Sequence, residues 1–140
     1  MAAAIRRIIC TSKAPLPGAS PYNQAVVWNN TVFASGVVGM DKDTMKIVPG
    51  GAANEARQAL KSIGHILDAA GSSYAKVIKS TVMLNDINDF TAVNEVYKEF
   101  FKKDYPARST YQVGKLPLGA SVEIEVIAAV GDVTNATSKI

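Results

Sequence analysis

Polar and apolar residues alternate along Arg108 to Val113 and again along Ser121 to Val126, with Gly114, Pro117 and Gly119 between the two runs. Alternation with that turn chemistry predicts a β-hairpin. A period of two sets Tyr111 and Val113 with Val122, Ile124 and Val126 on a buried face, and Arg108, Thr110 and Gln112 with Ser121, Glu123 and Glu125 on a polar one. An arginine is therefore expected to meet glutamates across two strands.

The rest of the chain divides by the same signals. Ile5 to Thr11 is a short strand, and Pro15, Pro17, Gly18 and Pro21 make Lys13 to Tyr22 a loop. Gln24 to Trp28 and Thr31 to Val38 are β-rich, and Asn29-Asn30 between them tolerates the positive φ of a tight hairpin turn. From Ala52 to Ala70 the residues Ala56, Leu60, Ile63 and Leu67 recur at helical spacing, and Gly71 supplies the stop. Val77 to Leu84 is another strand. Asn88 or Asp89 is then expected to cap a helix from Phe90 to Phe101 that buries Phe90, Val93, Tyr97 and Phe100.

This order predicts an α+β domain with roughly six strands and two helices on one face of the sheet. The run from Thr31 to Val38 is apolar on both sides, with Val32, Ala34 and Val38 on one and Phe33 and Val37 on the other. Two helices cover one face, so another copy of the protein is the natural cover for the second.

Composition narrows the function. At 140 residues, 48% hydrophobic and 19% charged, the chain reads as one soluble domain over residues 1–140. The single cysteine, Cys10, excludes an internal disulfide and a thiolate metal site, and no metal is expected. Asp41-Lys42-Asp43 lacks the further ligands of a calcium loop. The only histidine, His65, falls outside the apolar stripe of its helix, which removes a Ser-His-Asp arrangement from consideration. The net charge of +3 is scattered, giving weak support for RNA binding. No apolar run reaches a membrane span of about 18 residues. A cytoplasmic protein is expected. A basic, acid-free N-terminus and the final Ser138-Lys139-Ile140 give faint mitochondrial and peroxisomal alternatives.

Several segments together carry a more specific signal: Pro21 to Ala25, Ala34-Ser35-Gly36, Gly50-Gly51, Arg57 to Leu60, Ala69-Ala70-Gly71, Asn85 to Phe90, Pro106 to Val113 and Val122 to Val126. In order and spacing this set resembles the RidA (YjgF-type) imine deaminase family, from about Thr11 to Gly131. The resemblance implies a chorismate-mutase-like fold and a homotrimer with sites between subunits. It implies hydrolysis of reactive 2-imino and 2-enamino acids, such as 2-iminobutanoate and 2-iminopropanoate, to 2-keto acids and ammonia without cofactor or metal. Matched residue by residue, Arg108 would bind the substrate carboxylate and Glu123 would position or activate water. Tyr22, Ser35, Gly36, Asn94 and Thr110 would line the same pocket.

The chemistry suits those residue types. A planar guanidinium orients a carboxylate through two parallel hydrogen bonds, and a reactive imine needs little beyond a held water and a proton route. Ser35 has no base to activate it and reads as a hydrogen-bonding group. The chain departs from the family's usual pattern at Ser20 and Asn23 around Tyr22, at Val37 after Gly36, and at Thr110, where relatives often carry cysteine. These departures bear on substrate range. Two other classes remain open: an RNA-cleaving translation inhibitor, and a carboxylate-binding or chaperone-like module without turnover.

Overall fold

The computed structural model describes residues 2–140, so Met1 of the expected unit lies outside it. Its strands are β1 (Arg6–Ile9), β2 (Ala25–Trp28), β3 (Thr31–Ala34), β4 (Val37–Val38), β5 (Val77–Leu84), β6 (Ala107–Gln112) and β7 (Val122–Ala129), with helices α1 (Gly51–Ala69) and α2 (Phe90–Phe100). They form one mixed sheet in the order β1-β2-β3-β7-β5-β6, with β4 also paired to β7. Every pairing is antiparallel except β5 with β6, which run parallel because α2 crosses over between them.

The β2–β3 hairpin turns at Asn29-Asn30 as expected, with Asn29 at φ 53° and Trp28 opposite Thr31. Helix α1 buries Ala56, Leu60, Ile63 and Leu67 as its spacing predicts, together with Ala52, Ala59 and Ile66. Each of the fully buried larger side chains stabilises the fold by about 1.5–3 kcal/mol relative to exposure. At its end Gly71 takes φ 80°, while the Ser72 and Gly71 amides donate to the Leu67 and Asp68 carbonyls. The predicted stop is thus a glycine-assisted cap. Both helices contribute to a single core on one face of the sheet.

Four local expectations are corrected. The runs around Arg108 and Glu123 are not a hairpin, because β5 lies between β6 and β7. The parity inverts as a result: Arg108 aligns with Ser80 and Val126, while Tyr111 aligns with Met83 and Glu123. Arg108, Thr110 and Gln112 thus share the helix-facing side with Val122, Ile124 and Val126, and Tyr111 stands exposed on the opposite side. On α2 the buried residues are Val93, Val96 and Tyr97, while Phe90 is exposed, and neither Asn88 nor Asp89 caps the helix through its side chain. Asp86 instead accepts the Asn88 amide in the short turn before it.

The fourth correction concerns the strand expected from Thr31 to Val38. Phe33 pairs with Ile127 and Val37 with Ile124, so Ala34, Ser35 and Gly36 stand against only Val126 and Glu125. This extra residue breaks the strand as a bulge does and reverses its facing. Val37 consequently packs against the core rather than joining Phe33 on the outer side.

Candidate active site

The break between β3 and β4 borders a cleft of about 710 Å³. Ser35 lines the cleft and is tied back to the segment just before β2: its amide donates to the Gln24 carbonyl at 2.9 Å and its Oγ to the Asn23 carbonyl at 2.6 Å. Gly36 follows, and Glu123 reaches in from β7. A Cβ built on Gly36 would overlap Glu123 Oε1, so the carboxylate rests directly over the glycine backbone. Partial burial and the nearby charge of Glu125 push the Glu123 carboxyl above its ordinary pKa.

Three loops bound this cleft. The proline loop contributes Pro15, Leu16 and Tyr22 and is held by buried Gln24, whose Oε1 accepts the Thr11 amide at 2.7 Å and whose Nε2 donates to the Pro15 carbonyl at 2.9 Å. Met45 and Leu118 extend from the other two, each a non-glycine residue at positive φ, 57° and 59°. The Leu118 loop is anchored where it enters β7. There the buried Glu55 of α1 accepts the Ser121 amide at 2.8 Å, two residues before Glu123. Gln24, Met45, Glu55 and Leu118 escape a reading of the sequence for catalytic motifs; a polar residue on the apolar face of α1 is the signal for Glu55.

Arg108 is elsewhere. Its guanidinium carbon lies 4.7 Å from the centroid of the Tyr97 ring and 5.8 Å from that of Phe90, on the helix side of β6. The salt bridges among the described residues are Lys42–Asp43, Arg57–Glu99 and Lys98–Glu95, and none uses Arg108. Thr110 occupies the same side of β6 two residues on, and its buried Oγ1 has no hydrogen-bond partner among the described residues. Asn94 is half-buried on α2 between Phe90 and Tyr97. The structure therefore brings Tyr22, Ser35, Gly36 and Glu123 to one cleft and leaves Arg108 and Thr110 at the β6 edge.

The separation is large for a small substrate. Two strand spacings of about 4.8 Å, together with three residues of offset along the sheet, put the Arg108 and Glu123 backbones roughly 14 Å apart, with side chains on opposite faces. Among the described residues, no three of His, Cys, Asp and Glu gather as a metal site. Among the same residues no helix is long and apolar enough to cross a membrane.

A family model described as Endoribonuclease L-PSP matches residues 11–130. The chain is 56% identical to the RutC family protein UK114 of Drosophila melanogaster, over 98% of this chain and 99% of that protein. It is 51% identical to the 2-iminobutanoate/2-iminopropanoate deaminase of Homo sapiens, again over 98% and 99%. Among solved structures it resembles Escherichia coli TdcF with bound serine, with TM-score 0.83 and 41% identity over 89% of this chain and 99% of that one.

Proposed function

The chain belongs to the Endoribonuclease L-PSP family, which includes the RidA (YjgF-type) proteins, and from that premise we propose that it is a hydrolytic deaminase of 2-imino and 2-enamino acids. The observation that carries this reading is 51% identity, over nearly the whole chain, to a protein named 2-iminobutanoate/2-iminopropanoate deaminase. The substrates are small anions of that class, the products 2-keto acids and ammonia. The protein acts in the cytoplasm as one unit spanning the chain.

Arg108 grips the substrate carboxylate, its fork being free of any ion pair among the described residues. Glu123 takes a proton from water as the water oxygen bonds to C2 of the imine, and the imine nitrogen gains a proton. Glu123 then returns its proton to the carbinolamine nitrogen, and as the C–N bond breaks the hydroxyl gives up its proton and becomes the C2 carbonyl, releasing ammonia and the keto acid. An enamine is first protonated at C3. The raised pKa of Glu123 makes its carboxylate a stronger base than an exposed glutamate, which suits a group that takes and returns a proton. Ser35, Gly36 and Tyr22 border the water side, and Thr110 and Asn94 the carboxylate side.

Since the two halves lie on opposite faces of one sheet, a complete site needs the Arg108 edge of one copy beside the Glu123 cleft of another. The outer face of the sheet carries Ile8, Phe33 and Tyr111, each about half exposed, an apolar surface that a second copy would cover. Repeating that unlike-to-unlike contact in a closed ring gives the homotrimer.

The test couples the protein to a serine or threonine dehydratase and traps the released imine with semicarbazide. Wild type lowers the trapped fraction. Arg108→Ala loses the effect while remaining assembled; a variant as active as wild type overturns the site. The family model's description supports a second reading, RNA cleavage. Cleavage that persists through exhaustive purification and disappears in Glu123→Ala would favour it.

A further inference from the structure

The guanidinium of Arg108 is not left to find its own direction. Tyr97 stacks on Phe101, with centroids 4.3 Å apart and planes at 22°, so one face of its ring is occupied and the other is free for the guanidinium at 4.7 Å. The ring is pinned at its far end as well, because its hydroxyl hydrogen-bonds Ser80 Oγ at 2.8 Å in the core. Ser80 is the β5 residue directly paired with Arg108, so the strand that carries the arginine also fixes the ring beneath it. A fully buried serine in an otherwise apolar strand face has no packing role that alanine would not fill, and its hydroxyl is used on Tyr97. Phe90, one helical turn before Asn94, adds a second ring at 5.8 Å.

We propose that Tyr97, held by Ser80 and Phe101 and assisted by Phe90, is a positioning residue that aims the Arg108 fork at the substrate carboxylate. The inference rests on the carboxylate-binding reading of Arg108. A guanidinium held over a ring face by cation–π attraction spends none of its N–H donors on that contact, so the ring can direct the donors without consuming them. Five donors on a flexible stem would otherwise sample many directions, and fixing them beforehand removes an entropic cost from binding.

The test measures KM and kcat in the dehydratase-coupled assay, calorimetric binding of 2-oxobutanoate, and thermal stability. Tyr97→Phe keeps the ring but loses its tie to Ser80, and raises KM about threefold. Tyr97→Leu removes the platform, raising KM and the 2-oxobutanoate Kd about tenfold with kcat changed less than threefold. Because Tyr97 is in the core, Phe90→Leu serves as the fold-safe variant: it raises KM about threefold at unchanged melting temperature. The inference is overturned if Phe90→Leu and Tyr97→Leu leave KM and Kd at wild-type values while Arg108→Ala loses binding. If Arg108→Ala itself binds and turns over normally, the carboxylate reading falls and this one with it.

Discussion

The Glu123 cleft and the Arg108 edge are two parts of one sheet built in opposite ways. Around Glu123 the walls are loops: a proline segment strapped down by Gln24, and two turns whose Met45 and Leu118 sit at positive φ with their side chains about half or more exposed. Around Arg108 the walls are a strand, a helix and buried rings continuous with the core. Loops can change shape to suit a variable side chain, whereas a ring stacked into the core cannot. In the proposed reaction the invariant part of the substrate is its carboxylate, and the firmer wall is the one that would receive it.

The comparison breaks most visibly by inactivating each half in a different copy. Arg108→Ala and Glu123→Ala should each lower turnover by about 10²-fold or more. Co-expressed, the two variants should assemble sites in which an intact Arg108 from one copy meets an intact Glu123 from its neighbour. Random mixing gives about a quarter of wild-type activity. Mixed assemblies as inactive as either parent would mean that both groups act from the same chain.

A smaller perturbation separates the cleft from the fold beneath it. Gly36 has no Cβ where the Glu123 carboxylate lies, and the atom a methyl would meet is the end of a side chain rather than backbone. Gly36→Ala should therefore displace the carboxylate and lower kcat about 10- to 100-fold, with the melting temperature and the 2-oxobutanoate affinity unchanged. A loss of affinity equal to the loss of kcat would show that the two halves are not separable.

How far these features could be read in advance depended on the range of the interaction. The Asn29-Asn30 turn, the stripe of α1 and the Gly71 stop are decided within a few residues, so turn chemistry and periodicity reveal them. Which strand lies beside which is decided by the whole chain. Alternation in Arg108–Val113 was visible, but its inward face could not be assigned without knowing that β5 intervenes and that α2 returns β6 parallel to it. The same failure affected Val37, because a one-residue bulge at Ser35-Gly36 reverses every residue after it. The residue types proposed for the site came from matching motifs to a family. Their division between two faces came only from the fold.

The mildest perturbation acts on charge alone. Glu123 is held above its ordinary pKa by burial first and by Glu125 second, and Glu125 is exposed two residues along the same strand face. If Glu123 works as a base, kcat/KM falls on the acid side as its carboxylate is protonated. Glu125→Gln removes the like charge, so the acid limb should move to lower pH. Stability should respond with the opposite dependence on pH. A carboxyl whose folded pKa is raised favours the folded state below its unfolded pKa, and that contribution is lost as pH rises through the folded value. Glu123→Gln does not titrate, so its melting temperature relative to wild type should climb between acidic and mildly alkaline pH. An acid limb that stays fixed in Glu125→Gln would leave burial as the sole cause of the shift.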